Sequence, residues 1–337
     1  MMNKTEILDI PLNTPGTLFT DPTQIKERFR ELAQTWHPDK PSGDTDVFAH
    51  ITTLHELALS KMKEGVWDTG TMFTGTSIKG AKFKLPYKFK KDFELGTYYV
   101  NSTKLLYLID KKHKKRYDNA IQCMKPVFPS DNVKKEISRF LPILKATVEL
   151  KDHYSLVLEK TPDVVPLRWV VEKFNKVDPK QAAWMNSAIL NICCGLQTAQ
   201  MVHNDISLDS VFVSIKHHSG LLLGGWWYSG KQGSRMVNVP ERTYNMMPNK
   251  IRTAKVHAMQ MSLITCKATI MEILGNASGP KLRIDKKIPK SFIDWLLSPS
   301  NLSPIKAYQQ WKNEVLPLMK YKKEFVKWEI PEEELLT

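Results

Sequence analysis

The sequence predicts an α+β chain in two unequal units: a small all-α helical hairpin, followed by a larger two-lobed unit in which strands precede helices. Two helix-period apolar patterns flank the turn-like stretch "TWHPDKPSGD" near the start. The strand-like segments "LGTYYVN", "LLYLID" and "YSLVLE" come next, and helical periodicity dominates beyond them. A chain of 337 residues, 42% hydrophobic and 25% charged, has ordinary globular composition and is long enough for one small and one large domain. The expected boundaries are 1–63 for the hairpin, 64–80 for a linker and 81–337 for the larger unit.

In the first unit Asp21 is placed to cap a helix, Pro22 suits the first helical position, and Gln24 sits where a capping-box partner belongs. Ile25, Phe29, Leu32, Ala33 and Trp36 then share one face, while Lys26 and Arg30 lie four apart on a flank that stays in water. Pro38 must end this helix, because its ring removes an amide donor and disfavours helical geometry just before it. A second stripe of Val47, Phe48, Ile51, Leu54 and Ala58 follows "KPSGDTD", so two helices with facing apolar stripes is the simplest packing.

The segment "IKERFRELAQTWHPDK" resembles the second helix of the J-domain family, whose mark is a His-Pro-Asp tripeptide, here His37, Pro38 and Asp39. The resemblance implies docking on a DnaK-type heat-shock chaperone and stimulation of its ATP hydrolysis, with Lys26 and Arg30 steering toward an acidic surface and Asp39 meeting a cationic group. Two departures weaken the match: His55 replaces an aromatic of the third helix, and the first helix shrinks to "TEILDI". A helical hairpin with a proline turn also needs no partner at all.

In the larger unit, "EGVWDTGTMFTGTSIKG" (64–80) lacks periodicity and reads as linker. One helical pattern is expected over Val133 to Leu144 and another from Gln181 to Met201. The basic run Lys111 to Arg116 reads as a solvated hairpin turn between strands. After the second helix, "MVHNDISLDSVFV" resembles the catalytic loop of the protein-kinase fold, with His203 and the proton-accepting Asp205 in place but Ser210 where the family has a metal-binding Asn.

Further elements of that family are partial. Gly224, Gly225 and Trp226 stand for Asp-Phe-Gly, a single Gly96 stands for a phosphate-covering loop, and no lysine clearly precedes the candidate pairing acid Glu136. Pro240 and Glu241 resemble the Ala-Pro-Glu element, and His257 falls where an Asp often anchors the catalytic loop. The resemblance therefore implies a two-lobed kinase-like domain that lacks its metal ligands and is a pseudokinase, with His203, Asp205 and Ser210 vestigial and kept to satisfy a turn. The alternative is an atypical kinase with a relocated metal site, for which Asp209 is the nearest carboxylate.

The four cysteines show neither zinc spacing nor a disulfide framework, and the adjacent Cys193 and Cys194 read as small core residues. With no leader-like or membrane-length apolar run, a reducing, cytoplasmic setting is expected, the host's cytoplasm were the chain viral. Of 49 Lys/Arg and 35 Asp/Glu, seven and nine lie in residues 1–63, leaving 42 against 26 beyond them, so the basic excess belongs to the larger unit. Nucleic acid ranks last among partners, because no aromatics interleave the basic run to stack bases. The expected function is thus a non-enzymatic co-chaperone without cofactor or metal, whose larger unit holds an unidentified client or scaffold. The aromatic run Trp226, Trp227 and Tyr228 either fills a vacated nucleotide cleft or forms a contact surface.

Overall fold

The computed structural model describes residues 2–10, 12, 14–63, 72–319, 330, 335 and 336. Helix α1 (Lys4–Leu8) opens on a capping box between Asn3 and Glu6. Asp21 caps as expected, accepting from the Thr23 amide at 2.8 Å, but Pro22–Gln24 form a tight 3₁₀ turn and α2 itself runs Ile25–Trp36. His37 ends it with extended backbone, the conformation a following proline demands. Helix α3 (Thr45–Lys63) begins where the Asp44 carboxylate accepts from the Asp46 and Val47 amides, both at 3.1 Å. Ile25 and Leu32 of α2 meet Val47, Ile51, Leu54 and Ala58 of α3 in one core, which Ile7 and Phe19 complete. His55 stacks on Phe29 with ring centres 4.1 Å apart.

Residues 64–71 of the expected linker lie outside the described residues, but 72–80 depart from the expectation. Met72–Thr76 form strand β1, paired antiparallel with β2 (Lys82–Pro86). The signal was muted because Gly75 sits in the strand, where any Cβ would strike the Phe83 ring. Next come β3 (Phe89–Phe93), β4 (Gly96–Val100), β5 (Lys104–Asp110), helices α4 (Lys114–Cys123) and α5 (Asp131–Ser138), then β6 (Ile143–Glu149) and β7 (His153–Glu159). The five strands make one antiparallel sheet in the order β3-β4-β5-β7-β6. Strand alternation sends Tyr98, Leu105, Tyr107 and Ile109 into the main core, while Leu106 and Leu108 face the other way, under Leu85, Phe73 and Phe83 of the β1-β2 hairpin.

Two expectations fail here. The basic run is no hairpin turn: Lys111–His113 form a 3₁₀ turn and the rest opens α4, whose Tyr117, Ala120 and Cys123 face inward. Its charges are solvated and partly spent on Glu149, Asp110 and Asp118. The helix expected over Val133 to Leu144 stops at Ser138, because Pro142 forbids its continuation, and Leu144 belongs to edge strand β6.

The second half is mainly helical. It comprises β8 (Val164–Pro166), α6 (Leu167–Phe174), α7 (Pro179–Thr198), β9 (Met201–Val202), β10 (Val211–Ser214), β11 (Ser219–Leu222), β12 (Gly230–Lys231), α8 (Glu241–Met246), α9 (Asn249–Ala254), α10 (Gln260–Ile273), α11 (Lys290–Leu297) and α12 (Pro304–Gln310). Helix α7 ends three residues short of Met201, which starts β9. Cys193 is buried and Cys194 half-buried in α7, as core residues should be. One continuous core joins sheet to helices, from Tyr98 and Tyr107 through Trp226 and Leu196 to Phe292 and Trp311. Among the described residues no helix is long and apolar enough to cross a membrane.

Candidate functional site

Two His-x-Asp turns stand out, one exposed and one buried. The first, His37-Pro38-Asp39, follows α2. Its chain reverses through Lys40 N–H to His37 O (2.9 Å), Gly43 N–H to Lys40 O (2.8 Å) and Asp44 N–H to Trp36 O (3.2 Å). Only glycine allows this closure at 43, since a Cβ there would lie 2.0 Å from the His37 carbonyl oxygen. The His37 ring meets Phe48 edge-on at 4.8 Å and its Nδ1 accepts from the Asp39 amide at 3.3 Å. The turn is therefore rigid, yet the Asp39 side chain is 87% exposed. Lys26 and Arg30 are both exposed on α2, as their spacing predicts.

The second turn, His203-Asn204-Asp205, follows β9. Ser262 of α10 bonds both backbone groups of His203 at 3.3 Å, and the His203 ring faces the Gly224 carbonyl at 3.0 Å. Burial holds the His203 imidazole down at about 3. His257 anchors the turn too, though through the Asn204 side chain at 2.7 Å. Ser210 turns back on its own loop, accepting from the Ser207 amide at 2.8 Å.

The Gly224-Gly225-Trp226 stretch packs against this turn. A Cβ on Gly224 would fall 2.6 Å from the Tyr107 hydroxyl, so no carboxylate fits there, and Gly225 takes a left-handed φ of 75°. Trp226, Trp227 and Tyr228 are buried, which removes the contact-surface reading. Trp226 donates to Leu222 O at 2.9 Å. The Asn119 amide of α4 reaches the carbonyls of Trp226, Trp227 and Ser229 at 3.5, 3.1 and 2.9 Å.

Between sheet and helices lies a cavity of about 460 Å³, lined by Phe93, Glu94, Tyr98, Tyr107, Arg168, Asp205, Asp209, Trp227, Arg242 and Glu272 among others. Its aromatic wall is continuous: Phe93 stacks on Trp227 at 5.0 Å, and Tyr107 meets Trp227 edge-on at 5.1 Å. Arg168 grips Asp209 through two bonds of 3.1 and 2.6 Å, and Arg242 pairs with Glu272 at 2.8 Å. Glu94, at the β3-β4 tip, accepts from the Tyr228 hydroxyl at 2.8 Å. Burial, reinforced by the charge of Glu94, pushes the Asp205 carboxyl up to about 8.

Other expected residues fall elsewhere. Glu136 sits on α5, exposed and paired with Arg139 at 2.8 Å, so it does not reach the cavity. Gly96 serves the hairpin, with φ 151° and no room for a Cβ beside the Leu108 carbonyl. Pro240 lines the cavity while Glu241 is exposed, and Arg242 makes the anchoring bonds instead. Asp209, the nearest candidate for a displaced metal, is spent on Arg168. Among the described residues no three His, Cys, Asp or Glu side chains are grouped to hold a metal ion. Sequence reasoning missed Glu94, Tyr107, Arg168 and Ser262: the first hides beside Gly96 in "FELG", the second in an apolar strand, and the last two carry no motif. No protein-family model matches this chain, and no curated protein matches it in sequence.

Proposed function

We propose that the protein is a co-chaperone: residues 1–63 act as a J-domain that stimulates a DnaK-type ATPase, and residues 81–337 form a degenerate kinase-like domain that holds a client. The observation that carries this reading is the His37-Pro38-Asp39 turn. It is fixed by four bonds and a ring contact while presenting an unburied carboxylate. A docking element gains from a preorganised, accessible charge, and this turn supplies one.

The order β3-β4-β5, helices, β6-β7, then a helical half whose His-x-Asp turn faces the sheet, suits the kinase-like reading. Helix α4, rather than the expected helix bearing Glu136, takes the place beside the Gly224–Trp226 stretch. Catalysis is disfavoured on three grounds. Tyr107 and the Asp209–Ser210 backbone occupy the space around Gly224, Glu94 puts an anionic charge at the hairpin tip where phosphates would lie, and Asp209 is not free for Mg²⁺. The relocated-metal kinase thus loses its nearest carboxylate.

The test uses the full chain with DnaK-type chaperones, that of the native host included. It is expected to raise their single-turnover ATPase rate, and His37→Gln to abolish the rise with the melting temperature unchanged. No stimulation of any of them by the wild-type chain sinks the co-chaperone reading. For the larger unit, ATP with Mg²⁺ is expected to leave thermal unfolding unshifted, and a Mg²⁺-dependent shift lost in Asp205→Ala would restore the kinase.

A further inference from the structure

The basic excess of the larger unit is concentrated in a second place besides Lys111 to Arg116. Residues 79–91, "KGAKFKLPYKFKK", carry six lysines and no Asp or Glu, with Phe83, Tyr87 and Phe89 set among them. The run at Lys111 has no Phe, Tyr or Trp. Lys91 is spent on Glu172 at 2.8 Å. Among the described residues Lys79, Lys82, Lys84, Lys88 and Lys90 have no carboxylate partner, so their charge is available to a ligand.

The fold gathers these lysines around a row of rings. Lys90 stands opposite Tyr99 in the β3-β4 ladder, so both lie on the outer face of the five-stranded sheet, with the ammonium 5.8 Å from the ring centre. Lys88, two residues earlier, is half-buried, and burial lowers its ammonium from the ordinary value. Tyr87 meets the Tyr99 ring edge-on at 4.8 Å, and Phe73 of β1 lies 5.0 Å from the same ring. Phe73 and Phe83 hold the β1-β2 hairpin on the sheet. Lys82 and Lys84 alternate with Phe83 and Leu85 along β2, which turns them outward into solvent. The carboxylate on this face of β3, Asp92, is engaged by the Thr97 hydroxyl at 2.7 Å.

We propose that this face binds single-stranded nucleic acid, with Tyr87 and Tyr99 stacking on unpaired bases and Lys82, Lys84, Lys88 and Lys90 meeting the phosphates. Lysines without carboxylates suit a phosphate backbone, and rings among them suit bases, because every base has a π-face whatever its identity. Tyr87 and Tyr99 are half-buried, so part of each ring stays in water, where a stacked base would cover it. A duplex keeps its base faces inside its own stack and would meet the lysines alone. An acidic polypeptide neutralises lysines too, but brings no flat ring for the tyrosines. The inference stands apart from the co-chaperone reading and requires neither the His37 turn nor a client protein.

The test is fluorescence anisotropy of the full chain with labelled oligothymidine and oligouridine of about twelve nucleotides, with a duplex of the same length and polyglutamate as competitors. Saturable binding of either single strand is expected at low salt, at least about ten-fold tighter than the duplex, and the tighter of the two names DNA or RNA as the natural class. Lys82→Gln combined with Lys84→Gln should weaken it several-fold and reduce the slope of log affinity against log salt by about 0.7 per lysine. Tyr87→Ala should weaken it at least about five-fold, the stacking of one base, while Tyr87→Phe keeps the ring and binds as the wild type does. Melting temperatures of the variants separate lost stacking from lost fold. Lys112→Gln combined with Lys115→Gln, on the other basic run, should leave affinity and slope unchanged. Failure of both single strands to bind overturns the proposal. So does competition by duplex or polyglutamate as strong as by the single strands, which would make the face a general anion surface, or an equal loss from the two lysine pairs, which would assign binding to net charge.

Discussion

The turns at His37-Pro38-Asp39 and His203-Asn204-Asp205 share a tripeptide pattern and an internal bond. In each, the Asp amide donates to the His Nδ1 at 3.3 Å. Their surroundings are opposite. The first stands at the end of a helix with its Asp in water; the second is enclosed by α10, the Gly224–Trp226 stretch and the aromatic wall. One local geometry therefore serves two physical ends. In water it fixes an exposed charge at little cost, and in the interior the same His becomes a neutral strut whose neighbouring Asp resists ionising.

The sharpest way to break this comparison is to truncate both histidines. His203→Ala removes a fully buried ring and leaves the Gly224 carbonyl facing a void, which should cost about 3 kcal/mol and lower the melting temperature by several degrees. His37→Ala should cost less than about 1 kcal/mol. Thermal unfolding of the full chain measures both, and equal losses would show that the exposed turn is part of the fold's support after all.

A smaller effect separates the two Asp residues by pH. The folded-state value of Asp205 lies above its ordinary one, so the stability it contributes is full below about pH 4 and is lost as pH rises through about 8. Asp205→Asn should therefore gain on the wild type as pH climbs from 4 to 8, by about 1 to 3 kcal/mol at the upper end. Comparing the variant with the wild type at each pH cancels the opposite slopes of His203 and His257, which burial holds at about 3 and about 4 and which therefore favour higher pH. A difference that stays flat with pH would mean that the pocket tolerates the Asp205 charge.

The smallest effect is kinetic. Lys26→Glu or Arg30→Glu, on the exposed flank of α2, should slow association with the chaperone several-fold at low salt and much less at high salt, because rim charges steer encounter more than they hold the complex. Equal slowing at both ionic strengths would assign these residues to packing.

The first unit was legible because helix periodicity, a proline stop and a cap act within a few residues. Ile25, Leu32, Val47, Ile51, Leu54 and Ala58 all lie where the stripes put them. In the larger unit, motif residues were found but not their surroundings. His203 and Asp205 announce a turn, yet the groups that define its chemistry come from distant strands and helices: Glu94, Tyr107, Asn119, Arg168 and Ser262. Local pattern also misread α4, because six basic residues in sequence masked the inward set of Tyr117, Ala120 and Cys123. Edge strand β6 was lost for a related reason, since most of its residues are exposed and it lacks a clean alternation of apolar and polar side chains.

The single amide of Asn119 that spans three carbonyls of the segment after Gly225 has a consequence for how the molecule is governed. A device that alternates between forms needs two arrangements of nearly equal free energy for its moving part. Swinging that segment away would strand three carbonyls, a half-buried asparagine and two buried indole rings at once, so the second form has nothing to recommend it. The larger unit is built as a fixture rather than a toggle. Control over it then has to come from outside, through how much of the protein is made and which ligand is at hand.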